Sequence, residues 1–210
     1  MSTELIVVRH GETHWNVEGR IQGYSADSPL TERGLAQARA LGARLGAESI
    51  DVLFSSDLGR TRQTVQPVID ATGLPAEFDS SLRERNYGVF EGRTYAEIER
   101  EFPEAWARFA ARDPHFAAPG GESSAQFQQR VVAAFESVAA RAGGRRIAVV
   151  THGGVLGALY RHAMRLPLDA PRSWTMYNAS INRIRIDAGR WTLERWGDVS
   201  HLSEDALDDA

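Results

Sequence analysis

LIVVRHGET, residues 5–13, is an apolar and largely β-branched run that breaks into Arg-His-Gly. Such a run predicts a buried strand, and that strand would deliver His10 at its carboxyl end. IAVVTHGG, residues 147–154, repeats the pattern with His152. Because open α/β sheets form their ligand crevice at the carboxyl ends of parallel strands, the two histidines are predicted to share one site.

The composition excludes several kinds of chemistry. The 210 residues include no cysteine, and all 24 residues of the Lys+Arg class are arginine. Disulfides, cysteine nucleophiles, P-loop lysines and Schiff-base lysines are therefore excluded. A net charge of −4 argues against a nucleic-acid partner, and no apolar run reaches the roughly 18 residues of a membrane span. We expect a cytoplasmic protein that contacts neither nucleic acid nor membrane.

Strand and helix patterns alternate along most of the chain. Thr31 is a predicted N-cap before leucines at helical spacing, residues 52–54 form a short strand before a second helix, and Ser123 and Gln126 form a capping box. Residues 181–196 alternate around a turn, which indicates a β-hairpin. The predicted fold is α/β, a three-layer α/β/α sandwich with a mostly parallel central sheet and an antiparallel edge.

Two segments depart from this alternation. Residues 82–120 contain a polar turn and two short helices between prolines, which indicates a small helical lid insertion. Residues 203–210 are acidic, and we expect a frayed tail there. The sequence thus predicts one α/β domain over residues 1–202, with the lid inside it.

Arg9, His10 and His152 would form a pocket suited to a phosphate group. An arginine offers a planar fork of donors, and charge-assisted hydrogen bonds contribute roughly 1.5–3 kcal/mol each. A neutral histidine fixed beside that fork is a nucleophile for phosphorus. Arg60 follows a predicted strand in the first turn of a helix, where the amide groups and the helix dipole also favour an anion. Arg62 is a second candidate, with a solvated helix face as the alternative.

Phosphoryl transfer also needs an acid for the leaving oxygen and a base for water. One carboxyl group can fill both roles. LRERNYG, residues 82–88, offers Glu84 in a polar turn, but the sequence pattern alone does not separate Glu84 from Glu91 or Glu12.

These motifs together resemble those of the histidine phosphatase superfamily, also called the phosphoglycerate mutase-like family. The resemblance spans residues 5–45, 52–64, 82–92, 120–131 and 147–160, with a closing GDVSHL at residues 197–202. It implies an enzyme that forms a phosphohistidine on His10 and uses Glu84 as acid and base. Relatives with an aspartate directly after the second histidine are excluded, because Gly153 stands there. The other implied site residues are, for the phosphate, Arg9, Asn16, Arg60, His152 and Gly153 and, for the substrate, Thr13, Gln22, Gly23, Arg62 and Tyr87.

The resemblance leaves two reactions open. Cofactor-dependent phosphoglycerate mutases of this family are longer, and after the Tyr-Gly turn they carry a lysine and an arginine pair that grip the substrate carboxylate. This chain has no lysine and reaches PGGE, residues 119–122, soon after that turn. A mutase must also exclude water from its bisphosphate intermediate, so a shorter lid favours hydrolysis. We expect a metal-independent phosphatase of the short subgroup named probable phosphoglycerate mutases or broad-specificity phosphatases, with a bisphosphoglycerate-dependent mutase as the alternative.

Interpretations of other classes are less favoured. A metal hydrolase is opposed by the lack of an H-E-x-x-H motif and of cysteines, and a glycine loop separates His10 from His14. A non-catalytic module that binds phosphorylated ligands would be expected to lose His10 or Glu84, and both are present. The expected partner is a small phosphorylated metabolite, with no cofactor required except a bisphosphoglycerate primer in a mutase. We expect a monomer or a homodimer.

Overall fold

A computed structural model describes residues 2–207. The strands and helices, in chain order, are β1 (Thr3–Arg9), α1 (His14–Val17), α2 (Glu32–Gly46), β2 (Val52–Ser55), α3 (Gly59–Thr72), β3 (Ala76–Phe78), α4 (Tyr95–Glu101), α5 (Pro103–Ala110), α6 (Ser124–Ala142), β4 (Arg146–Thr151), α7 (Gly153–Met164), β5 (Ile181–Asp187) and β6 (Arg190–Asp198). Short 3₁₀ turns lie at Ser80–Leu82, Gly88–Phe90 and Glu204–Ala206. Within residues 2–207, no helix combines the length and the apolar character that crossing a membrane demands.

The strands form one sheet in the order β3-β2-β4-β1-β5-β6. β1, β2, β3 and β4 run parallel to one another, whereas β5 is antiparallel to β1 and β6 is antiparallel to β5. The predicted α/β fold, with a mostly parallel sheet and an antiparallel edge, is confirmed. β3 was not predicted from the sequence.

Helices cover both faces of the sheet. Leu5 and Val7 of β1 belong to an apolar cluster with α6 and α7, whereas Ile6 and Val8 belong to a cluster with α2 and α3. All four side chains are fully buried. Because successive side chains of a strand point to opposite faces, an uninterrupted apolar run is what a strand between two helical layers requires.

The parallel strands bring three segments to one edge of the sheet. β1 and β4 are paired up to their last residues, Arg9 and Thr151, and β2 pairs with the other side of β4. His10, Ser56 and His152 each follow directly after one of these strands. The carboxyl edge of the sheet therefore gathers three polar side chains in one place.

Residues 82–120 build a small apolar cluster of their own. Phe90, Ile98 and Phe116 are buried in it together with Ile21, which comes from the loop after β1. A capping box at Thr94 begins α4, and Pro103 begins α5. This segment also supplies side chains to the site described below.

The acidic end of the chain packs against α2. Gln37 donates from Nε2 to the carbonyl oxygen of Ala206 at 2.7 Å, and Arg33 donates to that of Leu207 at 3.1 Å. Ala206 is buried. The expectation of a frayed tail is therefore wrong for residues 203–207, and residues 208–210 lie outside the described residues.

Candidate active site

A cavity of about 220 Å³ lies at the carboxyl edge of the sheet. The lining residues are Arg9, His10, Asn16, Arg20, Ile21, Gln22, Arg60, Glu84, Tyr87, Tyr95, Gly153, Gly154 and Met176. The predicted catalytic pair, His10 and Glu84, thus meets in one cavity with both predicted phosphate-binding arginines, Arg9 and Arg60.

His10 is held by its ring and by its backbone. Its Nδ1 lies 2.8 Å from the carbonyl oxygen of Gly11, which can only accept, so Nδ1 carries the proton. The second ring nitrogen, Nε2, is then the unprotonated one. The side-chain amide of Asn178 donates to the carbonyl oxygen of His10 at 2.9 Å, and the backbone amide of His10 donates to Thr151 at 2.9 Å. The strand end and the loop around Asn178 therefore fix the direction of the ring.

Burial and two arginines keep His10 neutral. The side chain is 3% exposed, and burial lowers its pKa well below the usual 6.5, with further lowering by the positive charges of Arg60 and Arg9. The hydrogen bond to Gly11 opposes this shift but is the smaller effect. A neutral imidazole with a lone pair on Nε2 is the form that can act as a nucleophile.

Arg60 is fully buried and is held on several sides. One terminal nitrogen, Nη1, lies 2.8 Å from Oδ1 of Asp27, and the other, Nη2, donates to the carbonyl oxygen of Gly23 at 2.9 Å. The backbone amide of Arg60 also approaches Oδ2 of Asp27 at 3.3 Å. The loop after β1 thus holds the guanidinium of Arg60 in place at the cavity, which Arg60 lines.

His152 contacts the side chain of Arg60 but is not part of the cavity wall. Nε of Arg60 donates to Nδ1 of His152 at 3.2 Å, so Nδ1 is unprotonated and Nε2 donates to Oγ of Ser56 at 2.8 Å. The ring packs against His10 with 5.4 Å between the ring centres. Burial lowers the pKa of His152, and the charge of Arg60 lowers it further. His152 is therefore a neutral support that orients both Arg60 and His10.

Gly153 leaves room for the guanidinium of Arg9. A Cβ at this position would lie 2.9 Å from Sδ of Met176 and 3.2 Å from Nε of Arg9. Arg9 itself donates from Nη1 to the carbonyl oxygen of Met176. The absence of a side chain at Gly153 therefore lets the guanidinium of Arg9 lie at the cavity.

The structure separates the three candidate carboxylates. Glu84 lines the cavity and is 8% exposed. Its Oε2 accepts from the backbone amide of Gly154 at 2.7 Å, at the start of α7, and its Oε1 accepts from that of Arg85 at 2.7 Å. Glu91 accepts from backbone amides of the loop after β1, and Glu12 pairs with Thr31 and Arg33. Of the three, only Glu84 is placed to exchange a proton with a group in the cavity.

Besides His152, three of the predicted residues lie outside the cavity lining. Thr13 caps α1 by accepting from the backbone amide of Asn16. Gly23 acts through its carbonyl oxygen on Arg60. Arg62 is exposed on α3, where its guanidinium lies 3.8 Å from the ring centre of Phe78, so the solvated helix face is where the structure places it. Asn16, Gln22 and Tyr87 do line the cavity.

Several contributors were missed by the sequence reasoning. Arg20, Tyr95 and Met176 line the cavity, and Asp27 and Ser56 hold groups that line or support it. Ser56 could have been found, because it follows β2 as His10 follows β1. Among residues 2–207, no group of three or more histidine, aspartate or glutamate side chains is arranged to hold a metal ion.

The comparison with known families agrees with this geometry. The sequence model of the histidine phosphatase superfamily (branch 1) matches residues 5–199. The chain belongs to the histidine phosphatase superfamily. The resemblance inferred from the sequence motifs is confirmed.

Relatives of this chain include proteins named for two reactions. A protein named probable phosphoglycerate mutase GpmB, from Salmonella choleraesuis, is 42% identical over 98% of both chains. The solved structure of Bacillus stearothermophilus YhfR is 39% identical and superposes with a TM-score of 0.87, covering 95% of this chain and 98% of that one. A mycobacterial glucosyl-3-phosphoglycerate phosphatase is 32% identical with a TM-score of 0.78, covering 94% and 99%. The chain is thus an enzyme of a superfamily of phosphatases and phosphoglycerate mutases.

Proposed function

We propose that this histidine phosphatase hydrolyses small phosphomonoesters through a phosphohistidine on Nε2 of His10, with no metal ion or other cofactor. The observation that carries the proposal is the orientation of His10. Its Nδ1 is engaged by Gly11 at 2.8 Å, so the unprotonated Nε2 is available in a cavity lined by Arg9 and Arg60. This combination supplies a nucleophile and charge neutralisation together.

In the first step, Nε2 of His10 attacks phosphorus and the bond from phosphorus to the ester oxygen breaks. Arg9 and Arg60 neutralise the nonbridging oxygens, where the negative charge is spread in such transition states. The leaving oxygen takes a proton from the carboxyl group of Glu84.

In the second step, the carboxylate of Glu84 removes a proton from water as the water oxygen attacks phosphorus. The bond from Nε2 to phosphorus breaks, and its electron pair returns to His10. Inorganic phosphate is released, and Glu84 is again the protonated acid. One carboxyl group therefore serves both steps in turn.

A phosphoglycerate mutase is the second candidate function. The name of the Salmonella relative supports it. In that reaction, the phosphohistidine would pass its phosphoryl group to a second hydroxyl of the substrate instead of to water, and a bisphosphoglycerate would be needed to prime His10. We favour hydrolysis because the chain offers no lysine and only a short lid segment between residues 82 and 120 for holding a bisphosphate intermediate.

The proposal accounts for the partners that the enzyme requires. A small phosphorylated molecule is sufficient, and every group named in the two steps belongs to one chain. A monomer and a homodimer would therefore both be active. No step calls for nucleic acid or a membrane.

Phosphate release from an aryl phosphate in excess chelator tests the proposal. Wild type and His115→Ala, a control in which an exposed histidine is removed, should release phosphate at equal rates. His10→Ala should lose about 10³-fold or more of kcat, as enzymes do when the nucleophile is removed. Loss of wild-type activity on chelation, or rapid turnover by folded His10→Ala, would contradict the proposal. Interconversion of phosphoglycerates that requires a bisphosphoglycerate primer would favour the mutase.

A further inference from the structure

A second and larger cavity opens beside the catalytic one. Its volume is about 480 Å³, and it shares Tyr87, Tyr95 and Gly154 with the lining of the catalytic cavity. The two spaces are therefore neighbours across these three residues. A phosphomonoester whose phosphate lies against His10 would direct its alcohol portion toward this second cavity.

One part of the wall of the second cavity is aromatic. Trp106 and Phe109 of α5, Phe116 and Phe127 all line it. Tyr95 packs against Trp106 with 5.5 Å between ring centres, and Tyr87 meets Phe109 edge to face at 6.2 Å. A cavity of this size and character falls in the range that holds a whole organic ligand, and a short polyol would leave most of it unfilled.

The charge of the second cavity is positive. Arg85, Arg112 and Arg161 line it, and Asp113, the carboxylate among its lining residues, is paired with Arg108 at 2.5 Å. Within residues 2–207, none of the three lining arginines forms an ion pair with a carboxylate. The cavity therefore presents cations that an incoming anion could neutralise.

Arg161 of α7 is the best placed of these cations. Its terminal nitrogens donate to two backbone carbonyl oxygens, those of Gly157 at 3.4 Å and Ala170 at 3.1 Å, and its guanidinium lies 4.7 Å from the ring centre of Trp174. Its Nε is buried and makes no hydrogen bond within residues 2–207. Burial lowers the pKa of Arg161, and repulsion from Arg112 lowers it further. An anion bound between the two arginines would relieve that repulsion and give Nε an acceptor.

We propose that this second cavity is a leaving-group subsite that selects phosphomonoesters whose alcohol joins an apolar ring to a remote anionic group held by Arg161 and Arg112. The proposal rests on the proposed function, because it places the phosphate of the same molecule against His10. The aromatic walls bind the body of the alcohol, and the arginines bind its charged end. The substrate thus carries two anionic groups separated by an apolar body.

A matched pair of substrates tests the subsite. The probes are 3-[4-(phosphonooxy)phenyl]propanoate and 4-propylphenyl phosphate, whose phenols leave with similar ease and which differ in the remote carboxylate. Wild type should favour the carboxylate probe in kcat/KM by about tenfold or more, the effect of one or two charge-assisted hydrogen bonds. Arg161→Gln should lose this preference, because kcat/KM falls much more for the carboxylate probe than for the propyl probe.

Two further variants separate binding from folding. Arg112 is exposed and makes no side-chain hydrogen bond or ion pair within residues 2–207, so Arg112→Gln should fold normally and lose part of the preference. Arg165→Gln removes an exposed charge that does not line this cavity and should keep the full preference. Equal kcat/KM for both probes in wild type, or a parallel loss for both probes in Arg161→Gln with no effect in Arg112→Gln, would overturn the proposal.

Calorimetry distinguishes failure of the subsite from failure of the hydrolase proposal. The probes are the corresponding benzylphosphonates, which cannot be hydrolysed, with and without the remote carboxylate. Tighter binding of the carboxylate form that is lost in Arg161→Gln would support the subsite even if no phosphate ester were turned over. Equal Kd values for the two phosphonates would overturn it.

Discussion

Asp27 is predicted to be the residue that positions Arg60 for phosphate binding. Its carboxylate lies 2.8 Å from Nη1 of Arg60 and approaches the backbone amide of Arg60 at 3.3 Å. Asp27→Asn keeps one oxygen acceptor of the same shape, but it removes the negative charge and one of the two acceptor oxygens. Arg60 would then be a fully buried cation whose carboxylate partner in this structure is lost.

The expected magnitude follows from burial. Breaking a fully buried ion pair costs about 3–5 kcal/mol. The side chain of Asp27 is 31% exposed, and the asparagine retains an acceptor, so we expect about 1.5–3 kcal/mol, the range of one hydrogen bond to a charged group. In a chain of this length, that loss lowers Tm by roughly 3–12 °C. Displacement of the guanidinium should lower kcat/KM by about 10- to 100-fold.

The assay is kcat/KM for an aryl phosphate, measured well below Tm, with Tm measured in parallel. Asp51→Asn is the matched control, because Asp51 accepts from the backbone amide of Arg146 at the opposite end of β4. That variant should keep its kcat/KM. A wild-type kcat/KM for Asp27→Asn would refute the reasoning, because Arg60 would then either hold its position without Asp27 or not contact the phosphate.

Three further predictions concern proton transfer and burial. Glu84→Gln should lower kcat/KM, which reports formation of the phosphohistidine, by about 10²–10⁴-fold for alkyl phosphates and much less for p-nitrophenyl phosphate; equal losses of kcat/KM would show that Glu84 is not the acid. Gly154→Ala would place a Cβ 2.1 Å from Oε1 of Glu84 and should reproduce that selectivity, whereas Gly157→Ala on the same helix meets its nearest atom at 3.5 Å and should not. Folding lowers the pKa values of His10 and His152. Below about pH 6.5 the unfolded chain therefore binds more protons than the folded chain, so the free energy of unfolding is highest above that pH and falls below it. The free energy of unfolding from urea titrations should fall by about 2 kcal/mol between pH 6.5 and 5.5, and His10→Ala should show a smaller slope; an unchanged slope would contradict the account.

His10, His152 and Arg60 were predictable because each lies at or near the end of a regular element. His10 and His152 directly follow apolar runs that could only be buried strands, and Arg60 lies in the first turn after another strand. Arg62 could have been excluded by the same logic, since residues two positions apart on a helix point to nearly opposite sides. The structure places Arg62 over Phe78, away from the cavity.

Other contributors carry no such signal. Asp27 and Met176 lie in irregular segments whose paths are set by distant contacts rather than by a local period. The loop around Asp27 is held by Glu91, which accepts from the backbone amides of Tyr24 and Ala26 at 2.9 Å each. Arg60 of α3 and Glu91 therefore determine where the loop lies. Neither partner can be predicted from the sequence of the loop itself.

β3 was not predicted because it also lacks a local sequence pattern. It is an edge strand of three residues, and none of its side chains is buried. Alternation of buried and exposed residues, the usual sign of a strand, needs a longer run than this to be visible.

Trapping the covalent intermediate tests the central claim most directly. Glu84→Gln should be mixed with an activated aryl phosphate, whose leaving group needs no acid, and quenched in alkali for intact-mass measurement and peptide mapping. Because the second step lacks its base, the account predicts that one phosphoryl group accumulates on His10 and that His10→Ala acquires none. Turnover without any phosphorylated protein, or a phosphoryl group on another residue, would contradict it.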